Sequence, residues 1–149
     1  MEGTAECIID GTRALLPARF RDEFGASSVV ISKGLDSCLF VHTVVGYERF
    51  IAALLTSVGQ DARAIRRFFV SDAMELKQDA RGRVSIDRRL MEYAGIRTRA
   101  VWRGEGEHLE LWDKDRFDSW RASGARRSAI CGLLAVTGSV NEAHRSAER

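Results

Sequence analysis

The chain has 149 residues and a mass of 16.6 kDa, which is one ordinary domain or two very small units sharing a core. Hydrophobic residues make up 45%, with a single proline, which excludes wholesale disorder and the collagen-like and proline-rich classes. The 23 Lys and Arg against 21 Asp and Glu give a net charge of +2, too small to announce a nucleic-acid binder by itself.

No run of 18 apolar residues exists, so no transmembrane helix and no membrane partner is expected. The start, MEGTAECIIDGTR, has no basic stretch before its short apolar patch, so the expected address is the cytoplasm. The cysteines, Cys7, Cys38 and Cys131, are odd in number and widely spaced, which fits a reducing compartment rather than a disulfide framework. Of the 23 basic residues 20 are Arg, the better residue for bidentate contact with phosphate, guanine or carboxylate. A GC-rich genome produces the same bias.

In chain order, Glu6–Ile9 reads as a short strand, Asp10-Gly11-Thr12 as a tight turn and Arg13–Leu16 as a second strand. A short helix over Ala18–Phe24 follows, with Pro17 in its first turn and Gly25 as its stop. Strands are predicted at Val29–Ser32 and Cys38–His42, around a turn at Gly34, and a helix at Val44–Thr56. QDARAIRRFFVS, residues 60–71, reads as a helix with Ile65, Phe68 and Phe69 on one side and Arg63, Arg66 and Arg67 largely on another.

The same order then recurs. Strand Glu75–Gln78, turn Asp79-Ala80-Arg81-Gly82, strand Arg83–Ile86 and helix Arg88–Ala94, capped by Asp87 and stopped by Gly95, repeat the first half. Strands Ala100–Arg103 and Leu109–Trp112 flank the glycine turn Gly104–Gly106, and a helix closes at Asp113–Arg121. Sliding the chain by 70 residues lays Arg13 on Arg83, Arg19 on Arg89, Gly25 on Gly95, Gly34 on Gly104 and Leu39 on Leu109. Conservative pairs, among them Leu16 with Ile86 and Lys33 with Arg103, keep that register. A four-stranded unit of about 45 residues buries too little surface alone, but two packed together can share one closed β core.

The expected organisation is a first repeat at 3–57, a linking helix at 58–72, a second repeat at 73–121 and a variable tail at 122–149. Residues 121–149 hold five bases to two acids, leaving residues 1–120 at −1. The tail reads as poorly ordered or as a frayed terminal helix.

Three strings carry a family resemblance: Arg13-Ala14-Leu15-Leu16-Pro17-Ala18-Arg19-Phe20-Arg21, Asp61 to Phe69, and Asp79-Ala80-Arg81-Gly82-Arg83-Val84-Ser85-Ile86. Glu110-Leu111-Trp112-Asp113-Lys114, Glu92-Tyr93-Ala94-Gly95-Ile96 and Gly34 to Leu39 add to it. Together, over about residues 3–120, they resemble the MraZ family. The resemblance implies a mainly β fold with helices (α+β), a pseudo-symmetric barrel of two tandem AbrB-like units. It also implies a nucleoid-associated bacterial transcriptional regulator of the division and cell-wall operon, binding direct repeats in promoter double-stranded DNA as a ring-shaped homo-oligomer. The family's Asp-x-x-x-Arg signature, assigned to DNA contact, is matched by Asp79 and Arg83. In the first unit Asp10 and Arg13 are one residue closer, so the turn that should bring Asp10 to Arg13 is altered.

The resemblance thus implies a DNA-contacting site made of Arg13, Arg83, Asp10, Asp79 and Arg81, and the chemistry of these residues is compatible with it. An Arg beside a hairpin turn projects from a rigid edge, where its guanidinium can meet guanine O6 and N7 or clamp a phosphate. An Asp across the turn can hold that side chain in place. The bland alternative is a surface ion pair worth about 0–1 kcal/mol. Arg19, Arg21, Arg88 and Arg89 are further phosphate or intersubunit candidates. The fuller second turn, with Arg81 inside it, is expected to bear more of the base readout than the first.

No catalytic constellation is visible. Cys38 and His42 lie four apart on a predicted strand, but two ligands do not make a zinc site, and a half-buried Cys and an edge His are expected there. Trp102, Trp112 and Trp120 are expected to pack the second unit's core. No metal, cofactor or small-molecule substrate is anticipated, and an enzyme is the least favoured class. A structural ring or scaffold with non-specific or no DNA binding stays open as the alternative; an antitoxin-like module would expect one repeat and a long partner-binding tail, and the internal duplication argues against it.

Overall fold

Near-continuous apolar runs such as Val29-Val30-Ile31 and Leu39-Phe40-Val41 suit strands covered on both faces, and such strands form the centre of the main sheet. The computed structural model describes residues 1–25, 28–57 and 59–123. Met1–Lys114 form one compact unit, and the described residues from Asp115 on belong to a second. From residue 124 on, the expected tail lies outside the described residues.

The first unit holds a six-stranded antiparallel sheet in the order β1 (Thr4–Ile8), β7 (Arg99–Gly104), β8 (Leu109–Asp113), β4 (Leu39–Thr43), β3 (Val29–Lys33), β5 (Met74–Leu76). A separate two-stranded ribbon pairs β2 (Arg13–Leu15) with β6 (Arg83–Ser85). Helices α1 (Ala18–Phe24) and α4 (Arg88–Ala94) follow the ribbon strands, and α2 (Val44–Ser57) and α3 (Ala62–Val70) join the halves. Strand ends fall within two residues of the sequence reading, and α1 and α4 match it in extent. Asp87 caps α4, its carboxylate accepting a hydrogen bond from the Arg89 amide at 2.8 Å. Pro17 sits at the N-cap of α1 rather than inside its first turn, so α1 begins without a side-chain cap.

The two halves exchange strands. The first strand of each half pairs with the third strand of the other, β1 with β7 and β5 with β3. β2 pairs with β6, and β4 with β8, across a pseudo-two-fold axis. Ala14 lies opposite Val84 at the centre of one pair, and Phe40 opposite Glu110 at the centre of the other. Among the strands, a single offset of 70 holds for β2/β6 and β4/β8 only. In the third strands Val29 and Ile31 face the core where Ala100 and Trp102 do, an offset of 71. The sequence pairing of Lys33 with Arg103 therefore slips by one. A one-residue slip reverses the faces of a strand, so burial and not side-chain similarity decides the true equivalence.

The core lies between one face of the sheet, the inner side of the ribbon, and helices α1 and α4. Leu16, Phe20, Phe24, Ile86, Leu90 and Trp102 meet there, each at most 3% exposed. Burying a side chain of this size is worth about 1.5–3 kcal/mol. The indole Nε1 of Trp102 donates to the Leu15 carbonyl at 3.0 Å, tying the ribbon to the sheet.

Phe40 and His42 point from β4 to the opposite face and meet Phe50 of α2 and Phe69 of α3. Phe69 is buried while Arg63, Arg66 and Arg67 are exposed, the division the helical periodicity of α3 implied. Cys38 and His42 are both fully buried, contrary to the half-buried Cys and edge His expected, because α2 and α3 cover this face of β3 and β4.

In the second unit, α5 (Lys114–Ala122) sets the Phe117 and Trp120 rings 6.2 Å apart. Trp102 and Trp112 are buried as expected, but Trp120 remains partly exposed. No helix among the described residues is long and apolar enough to cross a membrane.

Candidate nucleic-acid interface

The ribbon alternates as any strand pair must. Ala14 and Val84 turn inward and are buried, so Arg13, Leu15, Arg83 and Ser85 turn outward. Arg13 stands opposite Ser85, and Leu15 opposite Arg83. The ladder continues past the strands through Leu16 N–H to the Gly82 carbonyl at 3.0 Å and Ile86 N–H to the Thr12 carbonyl at 2.8 Å. Arg13 and Arg83 thus rise from a short, fully hydrogen-bonded platform fixed to the core beneath.

The two turns differ in build. Asp10 and Arg13 exchange both backbone hydrogen bonds, at 3.0 and 2.9 Å, around the two-residue loop Gly11-Thr12. Gly11 has φ 65° and Thr12 does not share the positive sign, which is the arrangement of a type II′ hairpin. The second turn is one residue longer. Asp79 N–H donates to the Arg83 carbonyl at 2.9 Å, and Gly82, at φ 81°, supplies the left-handed residue of a three-residue hairpin with a bulge.

Asp79 organises its turn completely. Its Oδ1 accepts from the amides of Arg81 and Arg83, each at 2.9 Å, and its Oδ2 accepts from Arg83 Nε at 2.8 Å. The Arg83 amide, with the Arg83 side chain and the Arg81 amide, holds the Asp79 carboxyl down to about 2. Asp10 makes a looser contact: its Oδ2 is 3.1 Å from Arg13 Nη2 and 3.9 Å from Arg83 Nη1. The shortened turn therefore does not separate Asp10 from Arg13, because a two-residue hairpin places those residues directly opposite each other. The tertiary pairing also brings Asp10 towards Arg83 of the other half, which spacing along the chain could not reveal. Arg81 is exposed, and its guanidinium enters no ion pair among the described residues.

The other candidate arginines divide. Arg21 Nε donates to the Leu16 carbonyl at 2.6 Å, bracing the end of the ribbon. Arg19 donates to the Thr4 carbonyl and lies over the Phe20 ring. Arg89 pairs with Asp87 at 3.3 Å. Arg88 is exposed and, with Glu92 and Arg97, walls a shallow hollow of about 260 Å³ beside Gly11 and Thr12. The sequence reading passed over Leu15, an apolar residue left 42% exposed on the arginine-bearing face, and its alternation with buried Ala14 was the available signal.

Elsewhere, buried Glu110 accepts from Arg103 at 2.6 Å and from Trp112 Nε1 at 3.2 Å, and Cys38 donates to it at 3.6 Å. Burial raises the pKa of both Cys38 and Glu110, so the Cys38 thiol is unreactive. Among the described residues no group of three or more His, Cys, Asp or Glu is placed to hold a metal ion.

A family model described as "MraZ protein, putative antitoxin-like" matches the chain twice, over residues 1–68 and 69–129. The two matches coincide with the internal duplication. Similar curated proteins are each named a transcriptional regulator, MraZ. The one from Moorella thermoacetica is 39% identical over 115 residues, covering 76% of this chain and 80% of the relative. One from a Thermoanaerobacter species is 36% identical over 121 residues, 79% and 84% of the two chains. One from Clostridium acetobutylicum is 32% identical over 128 residues, 85% and 89%.

Proposed function

Since this chain belongs to the MraZ family, we propose that it is a non-enzymatic transcriptional regulator that binds double-stranded DNA through the β2–β6 ribbon. The observation that carries this reading is the outward pair Arg13 and Arg83 on a ribbon two strands wide, with Asp79 holding Arg83 by two side-chain and backbone contacts. A two-stranded ribbon fits the major groove of B-DNA, and an Arg aimed into that groove can donate two parallel bonds to O6 and N7 of guanine. Arg81, exposed beside the ribbon and with no carboxylate partner among the described residues, is suited to a phosphate.

The sites are direct repeats in the promoter of the operon for division and cell-wall synthesis, and the protein works on the nucleoid in the cytoplasm. One ribbon with two arginines gives limited affinity. A ring-shaped homo-oligomer supplies several ribbons to successive repeats, and linked binding raises affinity by on the order of 10²–10⁴. The half-buried apolar stripe of α2 and α3, bordered by exposed Arg63, Arg66 and Arg67, offers a contact surface for such assembly.

The test pairs light scattering with affinity measurements on DNA from upstream of its own gene and on a scrambled duplex of equal length. A multimer that prefers the upstream DNA at moderate salt is expected. A stable monomer at micromolar concentration removes the ring, and equal affinity for both duplexes at every salt removes the sequence-specific regulator.

A further inference from the structure

The pseudo-two-fold axis through Ala14 and Val84 relates Arg13 to Arg83, and it also relates Leu15 to Ser85. The ribbon's outer face is therefore symmetric in its arginines and asymmetric in the residue beside each. Across from Arg83 stands a leucine, and across from Arg13 a serine.

Leu15 is 42% exposed although its neighbours Ala14 and Leu16 are completely buried. Its backbone is immobilised by the Trp102 bond to its carbonyl and by pairing to β6, so the side chain stands at a defined height on the face. It is the ribbon's one outward apolar side chain, set among Arg13, Arg83 and Ser85. A surface that meets a phosphate backbone alone gains nothing from a leucine there. The edge of a base pair in the major groove does offer one apolar group, the C5-methyl of thymine.

We propose that Leu15 is a specificity-determining residue that packs on a thymine methyl, so that the two halves of the ribbon read different bases. The half bearing Leu15 selects a thymine, while the half bearing Ser85 accepts a hydrogen-bonding edge. This rests on the DNA-binding reading above and deepens it. One subunit then recognises a non-palindromic element despite its internal two-fold symmetry. Such an element can be repeated head-to-tail, which suits direct repeats better than inverted ones.

The experiment replaces thymine by uracil, which lacks only the methyl group, one position at a time in the DNA element that the intact multimer protects upstream of its own gene. Affinity for each duplex is measured with wild type, Leu15→Ser and Ser85→Leu, with light scattering as the control for assembly. For wild type, one uracil position per element is expected to weaken binding about fourfold per engaged site, the value of one buried methyl. Leu15→Ser should bind the thymine and uracil duplexes equally, and Ser85→Leu should gain a second sensitive position on the other side of the element's centre. The proposal is overturned if no uracil position matters to wild type, or if Leu15→Ser keeps the same sensitivity, while wild type still prefers its element to scrambled DNA. It is also overturned if Leu15→Ser acts only by dissociating the multimer. If wild type protects and prefers no upstream DNA, the DNA-binding reading falls and takes this inference with it.

Discussion

Arg13 and Arg83 occupy equivalent positions, yet they are held differently, and their contributions should differ accordingly. Arg83 has a side-chain exposure of 24% and is fixed by Asp79, whereas Arg13 is 44% exposed with one looser contact to Asp10. A pre-oriented guanidinium loses less freedom on meeting a base. Arg83→Ala should therefore weaken binding by about 1–3 kcal/mol per engaged site and relax sequence preference. Arg13→Ala should weaken it less. Binding curves for both variants, each with a sizing control, check this; wild-type binding by Arg83→Ala with binding abolished in an assembled Arg13→Ala would reverse the assignment. Arg81 should behave as a backbone contact. Arg81→Ala is expected to flatten the log–log dependence of affinity on salt by about 0.9 per engaged subunit, with sequence preference unchanged.

Among the elements, α2 and α3 depend on an aromatic cluster that contains two histidines. The His42 and His108 rings stack 4.8 Å apart, and His42 also stacks on Phe50 at 4.8 Å. His42 Nδ1 and His108 Nε2 are buried without hydrogen-bond partners among the described residues. Burial, with His108 beside it, pushes His42 down to about 3, and burial lowers His108 as well. Ser32 lies on the same sheet face, Tyr47 and Phe69 approach from α2 and α3, and Arg103, Glu105 and Glu107 act on His108 from the other strand pair. The unfolded chain takes up protons at these sites below about pH 6.5 while the fold keeps His42 neutral. His42 therefore carries no penalty above about pH 6.5 and costs stability as pH falls towards 3, at up to about 1.4 kcal/mol per pH unit, and His108 acts in the same direction. His42→Phe should make the acid side of the stability profile shallower, as denaturant unfolding between pH 4 and 7 would show. An unchanged slope would place the acid sensitivity elsewhere.

For the molecule as a whole, strand exchange decides what the site looks like. Because β1 pairs with β7 and β5 with β3, neither half completes its part of the sheet alone. The ribbon exists only where the halves meet, since each contributes one strand of it. The ribbon face proposed to meet DNA and the core beneath it are therefore one cooperative structure. Trp102→Phe, which keeps an aromatic ring but removes the indole donor to the Leu15 carbonyl, should destabilise the fold by about 1–3 kcal/mol, through the smaller ring and the partly buried carbonyl left without its donor. Chemical denaturation should show a lower midpoint in a single transition, and loss of DNA affinity should follow the loss of fold; an unchanged midpoint would mean that this bond contributes nothing.

The sequence alone determined the elements, the duplication and the family. Short-range rules suffice for these: Gly25 and Gly95 stop helices, Asp87 caps one, and the Arg-bearing turns recur in order. It also singled out Arg13, Arg81, Arg83, Asp10 and Asp79, because the turn chemistry and the signature residues are contiguous. Tertiary structure alone decided which strands pair, and so the 71-residue offset of the third strands, where one residue of slip exchanges core for surface. It decided that Asp10 lies near Arg83, 73 positions away, and that the shortened first turn still reaches Arg13. It buried Cys38 and His42, since helix coverage of a strand face depends on packing from elsewhere in the chain. And it left Leu15 standing between the arginines, a placement that follows from the ribbon's register rather than from any local pattern.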